Sequence, residues 1–172
     1  MANDFYRQLG TGVASLTFGV ALSIFIFAVA TGIVSGLVAW LLFGTSFLLM
    51  LRFWWRYNEL FVQFLPSRTY WHFLFDFAVS FFGILAVVTV NNIYTWALLG
   101  ACAMISSIVR CSLSWHEAKN QKMQLKKTMY GAIGMLVIFG IVYGLAGIVS
   151  SATLAAAIFI TVLVFVIYSS RK

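Results

Sequence analysis

Apolar residues in this chain come in long runs rather than in alternation. Six runs stand out, at 10–30, 33–52, 70–90, 93–113, 128–148 and 152–169. A helix crossing about 30 Å of hydrocarbon at about 1.5 Å per residue needs roughly 20 residues, and each run is near that length. Within a run the residues are apolar on all sides, as in "GVALSIFIFAVATGIVSGLVAWLLF". Strands of a membrane barrel would instead alternate apolar and polar over roughly ten positions. The pattern predicts an all-α, polytopic integral membrane protein, with residues 1–172 forming one transmembrane domain of six spans. The first two runs are joined only by "ATGIVSG" and the last two by "GIVSSAT", both suited to turns. The spans therefore read as three in-out hairpins. Their tips, near 32, 91 and 150, recur at a step of about 58 residues, which suggests hairpins of one design.

Composition agrees with lipid as the solvent. Hydrophobic residues make up 63% of the 172 positions and charged residues 9%, and mean hydropathy is +1.00. A soluble domain carries about 25% charged residues. In a bilayer every backbone polar group must be paired within the protein, which leaves helices as the remaining choice. Helix 1 follows a short start with a single arginine and reads as a retained first span rather than a cleaved signal peptide.

Charge changes the picture by giving it a direction. The 11 basic residues are Arg7, Arg52, Arg56, Arg68, Arg110, Lys119, Lys122, Lys126, Lys127, Arg171 and Lys172. With six spans all of them fall on one side, and the three opposite tips carry none. Positive loops stay cytoplasmic, so both termini are expected inside, in a plasma (inner) membrane. The pI of about 9.7 then reflects topology and contact with anionic lipid rather than nucleic-acid binding.

Trp54, Trp55, Tyr57, Tyr70, Trp71 and Trp115 fall where an aromatic belt at the inner interface belongs. The stretch "FWWRYNELFVQFLP" repeats apolar residues at helical spacing through Phe53, Tyr57, Leu60, Phe61 and Phe64. It reads as a connector lying with its greasy face in lipid. Pro66 ends it and Ser67 is placed to cap the next helix.

Polar residues inside the runs form stripes. On helix 3, Arg68, His72, Asp76 and Ser80 follow at four-residue steps with Gly83 on the same side. Helix 4 has Cys102, Ser106, Arg110 and Ser114, and helix 1 has Thr11, Ser15, Gly19 and Ser23. Four-residue steps stack side chains on one face. Polar and small residues on one face of a membrane helix point toward other helices or a wet cavity. Asp76 is the one acid well inside an apolar run, and Arg110 lies within reach by helical rise, about 6 Å off in depth. Two readings follow. Asp76 with His72, Ser80, Arg110 and Ser106 can line an ion or proton pathway, with His72 as a relay near neutral pH. Alternatively the Asp76–Arg110 pair locks helices 3 and 4.

Gly140, Gly144 and Gly147 form a small-residue face on helix 5 and predict close packing against a neighbouring helix. "GIVYG" within it is not a potassium-type filter, because that filter needs a non-helical loop after a short pore helix. Cys102 and Cys111 are about 13 Å apart along helix 4 and too distant for a disulfide. The chain has four acids and two histidines, no phosphate-cradling loop and no metal-spaced cluster. Catalysis is not expected, nor is any cofactor. The expected function is a small oligomeric membrane channel or transporter for ions or protons. The alternative is a non-catalytic helical subunit scaffolding a larger membrane complex. The expected partners are the bilayer and either further copies of the chain or other membrane subunits.

Overall fold

Lipid offers the backbone no partner but itself, and the computed structural model accordingly runs as consecutive helices. It describes residues 2–62, 69–118 and 120–170, without the side chains of 2–7, 9–11, 13–14, 17 and 169–170. The elements are α1 (Ala2–Ala30), α2 (Gly36–Arg56), a π-helical turn over Tyr57–Val62, α3 (Tyr70–Val88), α4 (Ile93–Leu113), α5 (Lys122–Leu145) and α6 (Ser151–Ser170). Five stretches are long and apolar enough to cross a bilayer: Gly36–Val62, Tyr70–Val88, Ile93–Leu113, Lys122–Leu145 and Ser151–Tyr168. The described apolar part of α1 is the shorter Phe18–Ala30.

Local chemistry sets the boundaries. Between α1 and α2, Gly32 and Gly36 adopt φ of 69° and 80°, a left-handed region that L side chains avoid, so this join turns sharply. Asn92 caps α4 by accepting from the backbone N–H groups of Tyr94 and Thr95, both at 3.1 Å. Thr69 caps α3, its hydroxyl accepting from His72 N–H. The expected cap Ser67 lies outside the described residues, as do Arg68 and Pro66.

Three tips gather at one end of the bundle. Asn91 Nδ2 donates to the Ile33 carbonyl at 2.6 Å, and a Cβ on Gly147 would stand 3.0 Å from the Tyr94 hydroxyl. At the opposite end Tyr57, Leu60, Phe61, Cys111, Ala118 and Leu125 form a buried cluster. That end carries Arg52, Arg56, Arg110, Lys122, Lys126 and Lys127.

The hairpins are not packed alike. α3 and α4 pack along each other, and α5 packs on α4. In contrast α1 makes few contacts with α2, and α5 few with α6. α1 leans on α3, while α6 lies against α2, where a Cβ on Gly44 would come within 2.9 Å of the Phe159 ring. Rings bridge the α1–α2 gap instead, with Phe25 4.8 Å from Phe43 and Phe18 stacked on Trp54 at 4.4 Å. The three in-out hairpins are therefore not packed to one design: of the three, α3–α4 alone closes on itself along its length. A regular spacing of tips follows from spans of equal length and says nothing about which helices meet.

Two stripes have no neighbouring helix within this chain at the described positions. Ser15, Gly19 and Ser23 of α1 are exposed, and Ser23 Oγ satisfies itself on the Gly19 carbonyl at 2.9 Å. A hydroxyl with that bond needs no neighbouring helix. Gly140 and Gly144 are exposed on α5, and a Cβ at either would meet nothing within 4 Å. They do not pack on another described helix of this chain. The close-approach glycine is Gly100 of α4, whose added Cβ would run into the Phe139 ring of α5.

This difference is testable. Gly100→Leu is expected to lower stability by about 1–3 kcal/mol through overpacking, and Gly144→Leu to change the unfolding temperature of the solubilised monomer little. Thermal unfolding in detergent distinguishes them, and equal losses would contradict the α4–α5 contact.

Candidate functional site

The carboxylate of Asp76 sits about 9 Å along α3 from Tyr70, and it is 7% exposed. In a low-dielectric interior an unpaired charge is expensive, so its surroundings must supply partners. Arg110 of α4 donates from Nε to Oδ1 at 2.8 Å, and the Tyr57 hydroxyl donates to Oδ2 at 3.0 Å. Arg110 is itself only 2% exposed. Its Nη1 donates to the hydroxyl of Ser114, one turn further along α4. Its guanidinium carbon lies 4.4 Å from the centre of the Phe61 ring, a cation–π contact.

The π-helical turn is what brings these groups together. It follows α2 without a break and delivers Tyr57 to the carboxylate and Phe61 to the guanidinium. Its apolar face, expected in lipid, is instead buried: Tyr57 is 5% exposed, Leu60 0% and Phe61 4%. The ion pair gives that face its partners: Phe61 covers the guanidinium of Arg110 and the Tyr57 hydroxyl donates to the carboxylate of Asp76. Arg56 and Glu59 pair at 2.8 Å on the partly exposed side of the same turn.

The other stripe residues are placed as follows. Ser80 Oγ donates to the Asp76 backbone carbonyl at 3.2 Å, so it touches the residue but not its carboxylate. His72 is buried, with Nδ1 3.0 Å from the Thr69 hydroxyl. Ser106 is buried and donates to the Cys102 carbonyl at 2.9 Å, within its own helix. The structure thus joins Asp76 and Arg110, places Ser80 and His72 on the same helix one turn either side, and leaves Ser106 a turn from Arg110. His116, by contrast, is exposed. Among the described residues no group of three or more His, Cys, Asp or Glu stands ready to hold a metal.

Beside Asp76 the bundle holds a cavity of about 100 Å³. Asp76, Tyr57 and Trp54 border one end, and Trp96 and Phe139 the other. Trp96 is fixed there by donating to Ser46 Oγ at 2.8 Å, which ties α4 to α2 at mid-bundle.

Tyr57, Phe61, Ser114 and Trp96 were not singled out as site residues from the sequence. Ser114 carried a signal, being the next four-residue step after Arg110. Tyr57 and Phe61 carried one too, since they share a face at a four-residue step. Nothing in the spacing said whether that face met lipid or a charge.

Comparison with protein-family models, with curated proteins and with solved structures finds no match. The chain is defined by its own geometry: a helical membrane protein with a buried acid–base pair beside an internal cavity.

The pair makes a quantitative prediction. Removing one member of a buried ion pair costs about 3–5 kcal/mol, whereas replacing both can be nearly neutral. Asp76→Asn is expected to lower thermal stability strongly, and Asp76→Asn with Arg110→Gln to recover much of the loss. Tyr57→Phe is expected to cost only about 1 kcal/mol, one hydrogen bond's worth. A double variant as unstable as the single would show that the two residues do not act as a pair.

Proposed function

We propose that the protein is a small, non-catalytic membrane transporter of protons or ions, with Asp76 as its central carboxylate and Arg110 as the charge that answers it. The observation that supports this reading is a buried carboxylate, paired with a fixed cation, at the border of a cavity within the bundle. Protonation of Asp76 would weaken its hold on both Arg110 and Tyr57, and the freed side chains would have to find other partners. That coupling of one proton to several contacts across α3, α4 and the π-helical turn is what a gated carrier requires.

A second reading is a helical subunit of a larger membrane complex. It is favoured by the engagement of both Asp76 oxygens, the pattern of a clamp, and by bulky outward side chains such as Trp71, Phe77, Phe81 and Tyr168.

The double variant separates the two. Asp76→Asn with Arg110→Gln removes both charges of the pair and leaves no carboxylate at the site. In proteoliposomes under an imposed pH gradient it is expected to lose proton or cation flux at least tenfold while unfolding near the wild-type temperature. Unchanged flux in a folded double variant, with obligatory co-purification of other membrane proteins, would overturn the transporter in favour of the subunit.

We also propose that both termini are cytoplasmic, from the positive charge at one end. In a Cys102→Ser, Cys111→Ser background, Asn91→Cys is expected to react with an impermeant thiol reagent from outside intact cells and Lys122→Cys only after permeabilisation. Labelling of both from one side would refute the orientation and the crossing number together.

A further inference from the structure

Two side chains reach the Asp76 carboxylate as donors: Arg110 through Nε at 2.8 Å and Tyr57 through its hydroxyl at 3.0 Å. A bound metal ion needs the opposite, a shell of acceptor oxygens that replaces its water. The other hydroxyls bordering the cavity beside Asp76 are Ser46 and Ser80. Ser46 Oγ already accepts from the Trp96 indole at 2.8 Å, and Ser80 Oγ donates to the Asp76 backbone carbonyl at 3.2 Å. Among the described residues no group of three or more His, Cys, Asp or Glu adds to them. Much of the remaining wall is apolar, through Leu49, Met50, Val79, Ile84 and Met104. A sodium or potassium ion arriving there would give up water oxygens and receive few in return.

An anion meets a different obstacle. It would have to take Arg110 from Asp76, and Arg110 does not border the cavity, whereas the carboxylate does. A proton meets neither. It brings its own covalent bond to oxygen, needs a single lone pair and requires no shell. The positive charge left over rests on Arg110, which keeps Ser114 and the Phe61 ring. The phenol of Tyr57 suits the change as well, since a hydroxyl that donates to a carboxylate can turn and accept from a carboxylic acid. The titratable and charged side chains close to Asp76 are Arg110 and Cys111 from α4, Tyr57 from the π-helical turn and His72 on α3 itself. α2 brings Arg52 and Arg56, both beside Glu59. The described side chains of α1, which also leans on α3, carry no charge.

We infer that the species carried is the proton itself, held on the Asp76 carboxylate while the charge of Arg110 stays with Ser114 and Phe61, and that no alkali metal ion or halide travels with it. This rests on the transporter reading and names its substrate.

The test uses the full-length protein in proteoliposomes. An entrapped pH dye reads protons, and valinomycin with potassium sets the membrane potential. Protons are expected to enter under an inside-negative potential, at the same rate when sodium chloride is replaced throughout by N-methylglucamine gluconate. The potential that stops them is expected to move by about 59 mV for a tenfold change in proton concentration, and not to move for a tenfold change in sodium or chloride. Without the ionophore, uptake of radioactive sodium, rubidium or chloride under a pH gradient of either sign is expected to match that of protein-free vesicles. The folded variant with Asp76→Asn and Arg110→Gln should lose the proton flux at least tenfold. Uptake of any of the three tracers that this variant loses, or a stopping potential that follows sodium or chloride, would overturn the assignment and leave the transporter reading standing. No flux of any species through folded wild-type protein, or proton flux that the folded variant keeps, would overturn both.

Discussion

An arginine cannot shed its proton in a protein, and Arg110 is held 2% exposed among membrane helices. Much of the basic end of the bundle follows from that constraint. The charge must be met by an anion, so Asp76 is on the facing turn of α3. The remaining guanidinium protons need acceptors, so Ser114 follows four residues later on α4. Its flat face needs a ring, so the chain after α2 folds inward to supply Phe61, and Tyr57 with it. Each contact meets part of a charge or one polar group in a medium that offers little in exchange.

The interactions also divide the bundle into two halves with different logic. The half toward the three tips is held largely by ring packing, Trp96 against Phe139, Gly100 under the same ring and Gly44 under Phe159, with single hydrogen bonds from Asn91 and Trp96. The basic end is held by polarity, through the ion pair and its shell. Between them lies the cavity, where neither packing nor polar bonding closes the space. A space of that kind persists because both ends are fixed independently.

How much of this could be read from the chain itself depends on the kind of information. Helix number and most boundaries were legible because hydrocarbon thickness sets run length directly. α4 begins and ends at the residues read from its apolar run, whereas α1 extends well before its run because polar residues continue a helix once it has started. The Asp76–Arg110 pair was legible because two opposite charges of matching depth in adjacent spans have few alternatives. Helix neighbours were not legible. Ser15, Ser23, Gly140 and Gly144 show why: a hydroxyl that bonds its own helix, or a glycine facing outward, looks the same in sequence as one at an interface. The inward turn over Tyr57–Val62 was missed for a related reason. An apolar face suits lipid and protein equally, and only the position of Arg110 in three dimensions decides between them.

The pairing of α6 with α2 has a consequence for biosynthesis. α2 leaves the ribosome long before α6 is made. At synthesis rates of about 5–20 residues per second the interval is on the order of ten seconds. During that time the notch at Gly44 has no Phe159 to fill it. The nascent chain must hold an incomplete bundle in the bilayer, with one flank of α2 open to whatever else is being inserted nearby. α6 is thus the helix that fills this flank of α2. A chain that stops short of it would keep the whole charged cluster yet expose an unfinished seam, a state that membrane quality control can recognise without any reference to activity.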